Sequence, residues 1–207
     1  MFEDFLANYA VTSSVDNTHS YGGTAKLENA LVETIKALGG KSFNNGIYRV
    51  CNFEKVEALT SLGEEYFPKL KGKIQVFGYD WLGRLFALDQ TSGNRLDSEI
   101  VLIEPGAGDA LEIPVNIVNF HNSILVGNAE EALAKSFFSE WSSVSQIKPG
   151  LSECIGYKLP LFLGGKDETI NLEIADLEVY ISICSQLWNK TRTLKPGQTI
   201  RSIRIEP

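Results

Sequence analysis

Histidine is the side chain that most often performs acid–base catalysis or binds transition metals, and this chain has two, His19 and His121. His19 lies in a polar segment, and His121 lies in a stretch with helical periodicity. Two histidines are too few for a three-histidine metal site and offer few candidates for a Ser-His-Asp triad. We expect both histidines to be ordinary surface or core residues, and we expect no metal and no cofactor.

Glycine-rich segments are the second group with chemical potential, because backbone N–H groups in such turns can bind an anion. Gly39-Gly40-Lys41-Ser42 lacks the first glycine of a phosphate-binding loop and follows a helix rather than a strand. Residues 106–108 and 164–167 also contain glycines. A glycine turn more often simply reverses the chain, so anion binding is the less favoured interpretation.

Acidic and aromatic clusters complete the inventory. Residues 64–65, 130–131 and 176–178 carry carboxylates at predicted helix faces or starts, where negative charge complements the helix dipole. The aromatic residues between 137 and 141 have helical spacing and no interleaved basic residues, which indicates core packing rather than stacking on nucleic-acid bases. No complete catalytic constellation results from these groups.

Composition restricts the classes of partner. The 207 residues include 26 acidic and 19 basic residues, a net charge of -7, which disfavours nucleic acid and anionic membranes and favours a basic partner. Glu3 and Asp4 stand where a secretory signal carries positive charge, and no apolar run approaches the length of a membrane span, so we expect a cytoplasmic location. Cys51, Cys154 and Cys184 are too widely spaced for a zinc site or a disulfide framework and are predicted to be core residues.

The elements that must position these groups alternate between strands and helices. Residues 74–89 predict a hairpin whose turn, 79–82, is unusually aromatic, and antiparallel strands follow at 99–103 and 111–115. We predict an α+β fold in which a mixed, largely antiparallel sheet packs against helices and a small C-terminal α/β segment follows. Further strands are predicted at 47–51 and 200–205, a loop at 12–23, and helices at 2–9, 24–38, 52–67, 116–125, 128–141 and 176–188.

Four helix starts carry capping signals, and the first is Thr24, a predicted N-cap of the helix 24–38. Asn52 and Asp176 are predicted N-caps, and Asn128 with Glu131 has the spacing of a capping box that opens a single helix through Trp141. The polar stretch 142–150, which contains Lys148-Pro149-Gly150, predicts a boundary between a domain 1–142 and a domain 143–207.

The order of these motifs resembles bacterial immunity proteins. FGYDWLGRLFALD, VLIEPGAGDALEIP and NFHNSIL, followed by the aromatic helix, resemble the GAD-related domain of such proteins, and the strand-rich middle is also similar to the SUKH superfamily. Residues 154–187 resemble the C-terminal domain of immunity proteins against type VI secretion DNase effectors. The family's proline, Gly-Gly turn, Asn-Leu pair and closing helix fall on Pro160, Gly164, Gly165, Asn171, Leu172 and Asp176 onward.

The resemblance implies a GAD-related domain over 1–142 and an immunity C-terminal domain over 143–207, packed closely together. It further implies a non-enzymatic immunity protein that binds a secreted bacterial toxin, expected to be a basic nuclease, and occludes its active site. Aromatic and charged groups in predicted exposed turns are the expected toxin contacts. These contacts are Tyr79, Asp80, Trp81, Glu104, Asp109, Lys166, Asp167 and Glu168.

Two alternatives remain open at this point. A small-molecule or nucleotide-sensing module would use the glycine turns to hold its ligand. An enzyme would require carboxylates that converge in a pocket, and this alternative ranks third.

Overall fold

The computed structural model describes residues 1–17, 29–91 and 98–194. His19, the predicted start of the second helix at 24–28 and the predicted strand at 200–205 lie outside these residues. None of the described helices is both long enough and apolar enough to cross a membrane.

A seven-stranded antiparallel sheet forms the centre of the molecule, and its strand order follows the chain. This confirms the α+β class, and every described strand pair is antiparallel. The elements of this part are α1 (Glu3–Asn8), β1 (Val11–Ser14), α2 (Asn29–Leu38), β2 (Lys41–Phe43), β3 (Tyr48–Val50), α3 (Phe53–Tyr66), β4 (Ile74–Asp80), β5 (Leu85–Asp89), β6 (Ile100–Glu104) and β7 (Asp109–Ile113).

The predicted hairpin is confirmed as β4 and β5, at the middle of the sheet. Every residue of β4 is buried, because both faces of the sheet are covered. On one face, Gly63 of α3 allows the helix to approach the side chain of Ile74. On the other face, the rings of Phe77 and Phe86 contact Phe120, at 5.8 and 5.0 Å between centroids. Burial on both faces explains the nearly continuous apolar sequence of these strands.

Short helices follow the sheet: α4 (Ile117–Asn119), a π-helical turn (Phe120–Ile124), α5 (Leu125–Gly127), α6 (Ala129–Leu133) and α7 (Lys135–Ser145). The single helix predicted from 128 to 141 is therefore wrong, since Ala134 adopts φ +48° and separates α6 from α7. The predicted capping box is wrong as well. The Asn128 side chain makes no cap bond, and Glu130 instead accepts hydrogen bonds from Ser136 N and Oγ at 3.0 and 2.8 Å.

The C-terminal segment contains β8 (Glu153–Tyr157), β9 (Leu172–Asp176) and α8 (Leu177–Thr191), with 3₁₀ turns at Leu161–Leu163 and Thr169–Asn171. β8 and β9 form a separate two-stranded antiparallel sheet, and α8 packs against α3. The caps predicted at Asn52 and Asp176 are confirmed, whereas Thr24 lies outside the described residues. Asn52 Oδ1 accepts from Lys55 N at 3.0 Å, and Asp176 Oδ1 accepts from Glu178 N and Val179 N, both at 3.1 Å.

Hydrogen bonds join the C-terminal segment to the central hairpin. The Trp81 carbonyl accepts from Ile155 N of β8 at 2.6 Å. The Trp81 indole N–H donates to the Leu133 carbonyl at 2.8 Å, which fastens the same turn to α6. Buried Arg49 donates to the Pro149 carbonyl at 3.0 Å, inside the stretch predicted to be a domain boundary. The boundary itself stays a prediction, but the residues around it are bonded to the sheet.

Candidate interaction surface

The predicted contacts in the hairpin turn are buried, so the prediction that they are exposed is wrong. Tyr79, Asp80 and Trp81 have relative exposures of 1%, 0% and 0%. The Trp81 ring packs against Phe137 and Phe138, with centroids 5.4 and 5.2 Å away, because α7 covers the turn. Bulky aromatic residues in a tight turn were the sequence signal of this burial, since such side chains gain most from being covered.

Asp80 is the centre of a buried ion-pair network. Its Oδ1 accepts from the N–H groups of Leu82 and Arg84 at 3.0 and 2.9 Å, and its Oδ2 accepts from Arg84 Nε at 2.6 Å. Arg84 Nη2 forms an ion pair with the same oxygen at 2.6 Å. Arg84 also donates to Glu104 Oε1 at 3.0 Å and to the Ala132 carbonyl at 2.9 Å. This network fixes the turn and fastens it to β6 and α6.

The electrostatics of this network follow from its burial. Removal from water lowers the pKa of the Arg84 guanidinium, but the carboxylates of Asp80 and Glu104 outweigh that effect and hold the pKa above its usual value. Burial raises the pKa of the Asp80 carboxyl, and the Arg84 charge opposes this rise. With four N–H contacts on its carboxylate, Asp80 acts as the anion of a structural ion pair.

A cleft of about 170 Å³ lies beside Arg84 and brings two of the predicted contacts together. Glu104 and Asp167 both line it, and Tyr157 donates from its hydroxyl to Asp167 Oδ1 at 2.6 Å. Asp109, Lys166 and Glu168 are exposed, and Lys166 lies 3.7 Å from Glu168. The predicted residues therefore divide into a buried turn, two cleft residues and three exposed groups.

Residues 159–171, which we call the Gly-Gly loop, have a conformation fixed by one amide side chain. Asn171 accepts from Leu159 N at 3.0 Å and donates to the Leu159 and Lys166 carbonyls, both at 2.9 Å. A Cβ on Gly165 would collide with the Leu159 carbonyl oxygen, and Gly164 adopts φ +91°. Glycines at both positions are therefore required by the path of the loop.

Exposed apolar side chains are the feature that the sequence interpretation missed. Ile170, in the Gly-Gly loop, is 78% exposed, and Val144, near the end of α7, is 70% exposed. Val144 follows Trp141 by three residues, so its spacing suggests burial, and sequence alone could not have shown that the packing ends before it. Seven of the 13 exposed large apolar residues in the described chain fall within 128–188: Val144, Ile147, Leu159, Ile170, Ile174, Val179 and Ile183.

Negative charge is concentrated in the same segment. Residues 128–188 contain nine acidic and four basic residues, a net charge of -5, against -7 for the whole chain. Eight of the nine carboxylate side chains belong to exposed residues, and Glu153 is half-buried. A surface with exposed apolar groups among carboxylates has the composition expected of a site that binds a basic protein.

The other titratable groups that stood out in the sequence belong to the core. His121 donates from Nδ1 to the Ile117 carbonyl at 2.7 Å, and its Nε2 accepts from the Tyr48 hydroxyl at 3.0 Å. Burial lowers the pKa of His121 to about 4, so the ring is neutral. The three cysteines are free and buried, which confirms their predicted core role, and burial raises the pKa of the Cys51 and Cys184 thiols to about 12.

One part of the chain, residues 128–188, is similar to a known protein family. Residues 128–188 match the family model described as "T6SS immunity protein Tdi1, C-terminal", which spans α6 through most of α8 and less than a third of the chain. This confirms the predicted resemblance of residues 154–187 to immunity proteins of type VI secretion. No curated protein matches the chain.

A solved structure shares the fold over most of the chain. The crystal structure of Atu4351 from Agrobacterium tumefaciens is similar over 90% of this chain and 89% of that chain, with a TM-score of 0.56 and 16% sequence identity. At this identity the likeness shows the fold alone.

Proposed function

We propose that this chain is an immunity protein that binds and neutralises a cognate toxin delivered by a type VI secretion system. One observation carries the proposal: the segment that matches the immunity family, 128–188, also holds most of the net negative charge and most of the exposed apolar residues in the described chain. In a protein whose task is binding, recognition requires such a surface on a rigid scaffold.

The charge of the chain supports a basic nuclease as the toxin. A nuclease needs a positive site for phosphates, and an acidic protein is steered toward that site by long-range attraction. Occlusion of the active site or of the substrate path is the inhibitory mechanism that needs no catalysis by the immunity protein. A non-enzymatic role therefore belongs to the same proposal.

Two finer assignments remain sequence-based predictions. The GAD-related domain over 1–142 and the likeness to the SUKH superfamily are supported by the motifs in the sequence. The sensing alternative gains no support from the cleft beside Arg84, since about 170 Å³ is below the roughly 300 Å³ at which ligand pockets begin.

The proposal is tested with purified protein. The product of the adjacent gene is tested as the toxin: its cleavage of plasmid DNA is followed while increasing amounts of this chain are added. We expect the nuclease activity to fall to zero near one equivalent of the chain, because one tightly bound chain occludes the active site of one toxin molecule. Undiminished cleavage at tenfold excess of folded chain would overturn the proposal.

A further inference from the structure

The end of the Gly-Gly loop and the end of α7 lie side by side. The turn Thr169–Asn171 packs against α7, and Thr169 Oγ1 lies 3.4 Å from Glu140 Oε1. Val144 is one helical turn beyond Glu140 on the same side of α7, and Ile170 directly follows Thr169. The two most exposed apolar residues within 128–188 therefore lie on segments that pack against each other, and we call the surface of these two segments the Ile170 face.

The backbone that displays Ile170 is held in place. The three hydrogen bonds of the Asn171 side chain close the Gly-Gly loop, and Lys158 Nζ donates to the Ile170 carbonyl at 2.9 Å. A loop fixed in this way loses little conformational entropy when a partner covers it. Less of the binding free energy from burying Ile170 is therefore offset by ordering of the loop. This pre-organisation distinguishes Ile170 from a solitary apolar residue on a mobile segment.

The charges around Ile170 specify the partner. Glu140 contacts Thr169, and Asp167, Glu168 and Glu173 lie within three residues of Ile170 in the chain; all four are exposed. Lys166 lies 3.7 Å from Glu168, and Lys158 donates to the Ile170 carbonyl. The surroundings carry four carboxylates against two ammonium groups. A basic surface complements this charge, and a second copy of the same acidic face does not.

We propose that the Ile170 face is the surface through which this chain binds its toxin, a deepening that rests on the proposed immunity function. Ile170 and Val144 are the apolar anchors, and Glu140 and Glu168 contact basic side chains that border an apolar depression on the toxin. Buried apolar anchors inside a polar rim are the usual arrangement of residues that dominate binding energy.

The test measures the affinity of the full chain for the catalytically inactive toxin encoded beside its gene. Ile170→Ser with Val144→Ser removes the anchors, and Glu140→Lys with Glu168→Lys reverses the rim charge. The matched controls are Leu111→Ser and Glu112→Lys on edge strand β7, where both residues are exposed and line a different cleft, beside Lys69 and Lys73. Circular dichroism confirms that each variant is folded, as expected for changes at exposed positions.

Each double variant is expected to raise Kd at least tenfold, with control variants within twofold of the parent chain. If the parent binds and both double variants keep its affinity, the assignment of the toxin interface to the Ile170 face is wrong, and the proposed immunity function is unaffected. If the parent itself does not bind, both proposals fall. If removal of the anchors abolishes self-association of the chain and leaves toxin affinity unchanged, a second copy occupies the face and the assignment to the toxin is wrong.

Discussion

Arg84 donates a hydrogen bond of 2.6 Å from Nε to Oδ2 of a completely buried Asp80, and its Nη2 lies 2.6 Å from the same oxygen in an ion pair. The two residues stand four positions apart at the ends of the turn between β4 and β5, and Arg84 reaches onward to Glu104 and the Ala132 carbonyl. The aromatic turn is therefore a buried structural element that bonds the sheet to the helices that follow it.

Replacement of one member of this pair is expected to destabilise the protein strongly. Asp80→Ala leaves the Arg84 charge buried without its main partner, which costs about 3–5 kcal/mol of unfolding free energy. The double variant Asp80→Ala with Arg84→Met removes both charges and should recover part of that loss. Urea denaturation measures each value, with exposed Glu112→Gln as the control. A loss below 1 kcal/mol for Asp80→Ala would show that the pair contributes little.

Acid should destabilise the protein through His121. Its pKa falls from 6.5 to about 4 on folding, so the unfolded chain binds the additional proton. Stability is fully present above pH 6.5 and is lost as pH falls toward 4, by about 3 kcal/mol in total. Urea titrations of the parent and of His121→Gln over this range isolate the effect. The stability advantage of the parent should shrink as pH falls, and a difference that is independent of pH would contradict the assignment.

The Gly-Gly loop should not tolerate a side chain at Gly165. Gly165→Ala places Cβ against the Leu159 carbonyl and close to the Asn171 amide, so the loop must shift and Ile170 moves with it. We expect the affinity for the toxin to fall about tenfold while the rest of the fold survives. Gly127→Ala is the matched control, since its Cβ meets open space. Equal affinities for the two variants would show that loop geometry does not matter for binding.

The two predicted domains should unfold together. Ile155 N donates to the Trp81 carbonyl and Arg49 donates to the Pro149 carbonyl, so separation would expose unsatisfied buried groups on both sides. In urea, tryptophan fluorescence and far-UV circular dichroism should give one coincident transition. Two resolved transitions would establish independent units on either side of residues 142–150.

Local signals in the sequence predicted much of this fold. The hairpin 74–89, the strands after it and the caps at Asn52 and Asp176 depend on turn residues and apolar spacing within a few positions, and all are present in the structure. The C-terminal resemblance depended on the spacing of two glycines and Asn171. These residues determine the local backbone path, so their spacing is readable in the sequence.

Features that depend on distant contacts could not be predicted locally. β1 is entirely exposed and polar after Val11, so it has no alternating pattern, and residues 12–14 were expected to be loop. The break at Ala134 involves no glycine or proline. The carboxylate that accepts from Ser136 N, at the start of α7, belongs to Glu130, six residues earlier, which is not the spacing of the predicted capping box. The burial of Trp81 arises from helices more than 50 residues later in the chain. The exposure of Ile170 likewise depends on how its turn packs against α7, which precedes it in the chain.

If this chain is an immunity protein, it protects cells against the toxin. The growth of toxin-expressing cells is the most direct measurement of that protection. Cells that express the toxin encoded beside its gene, with and without this chain, are compared by plating efficiency, with a chain carrying Ile170→Ser and Val144→Ser as a third arm. The account predicts that the parent chain restores growth to the toxin-free level and that the double variant restores it only partially. Failure of the folded parent chain to restore any growth would contradict the account.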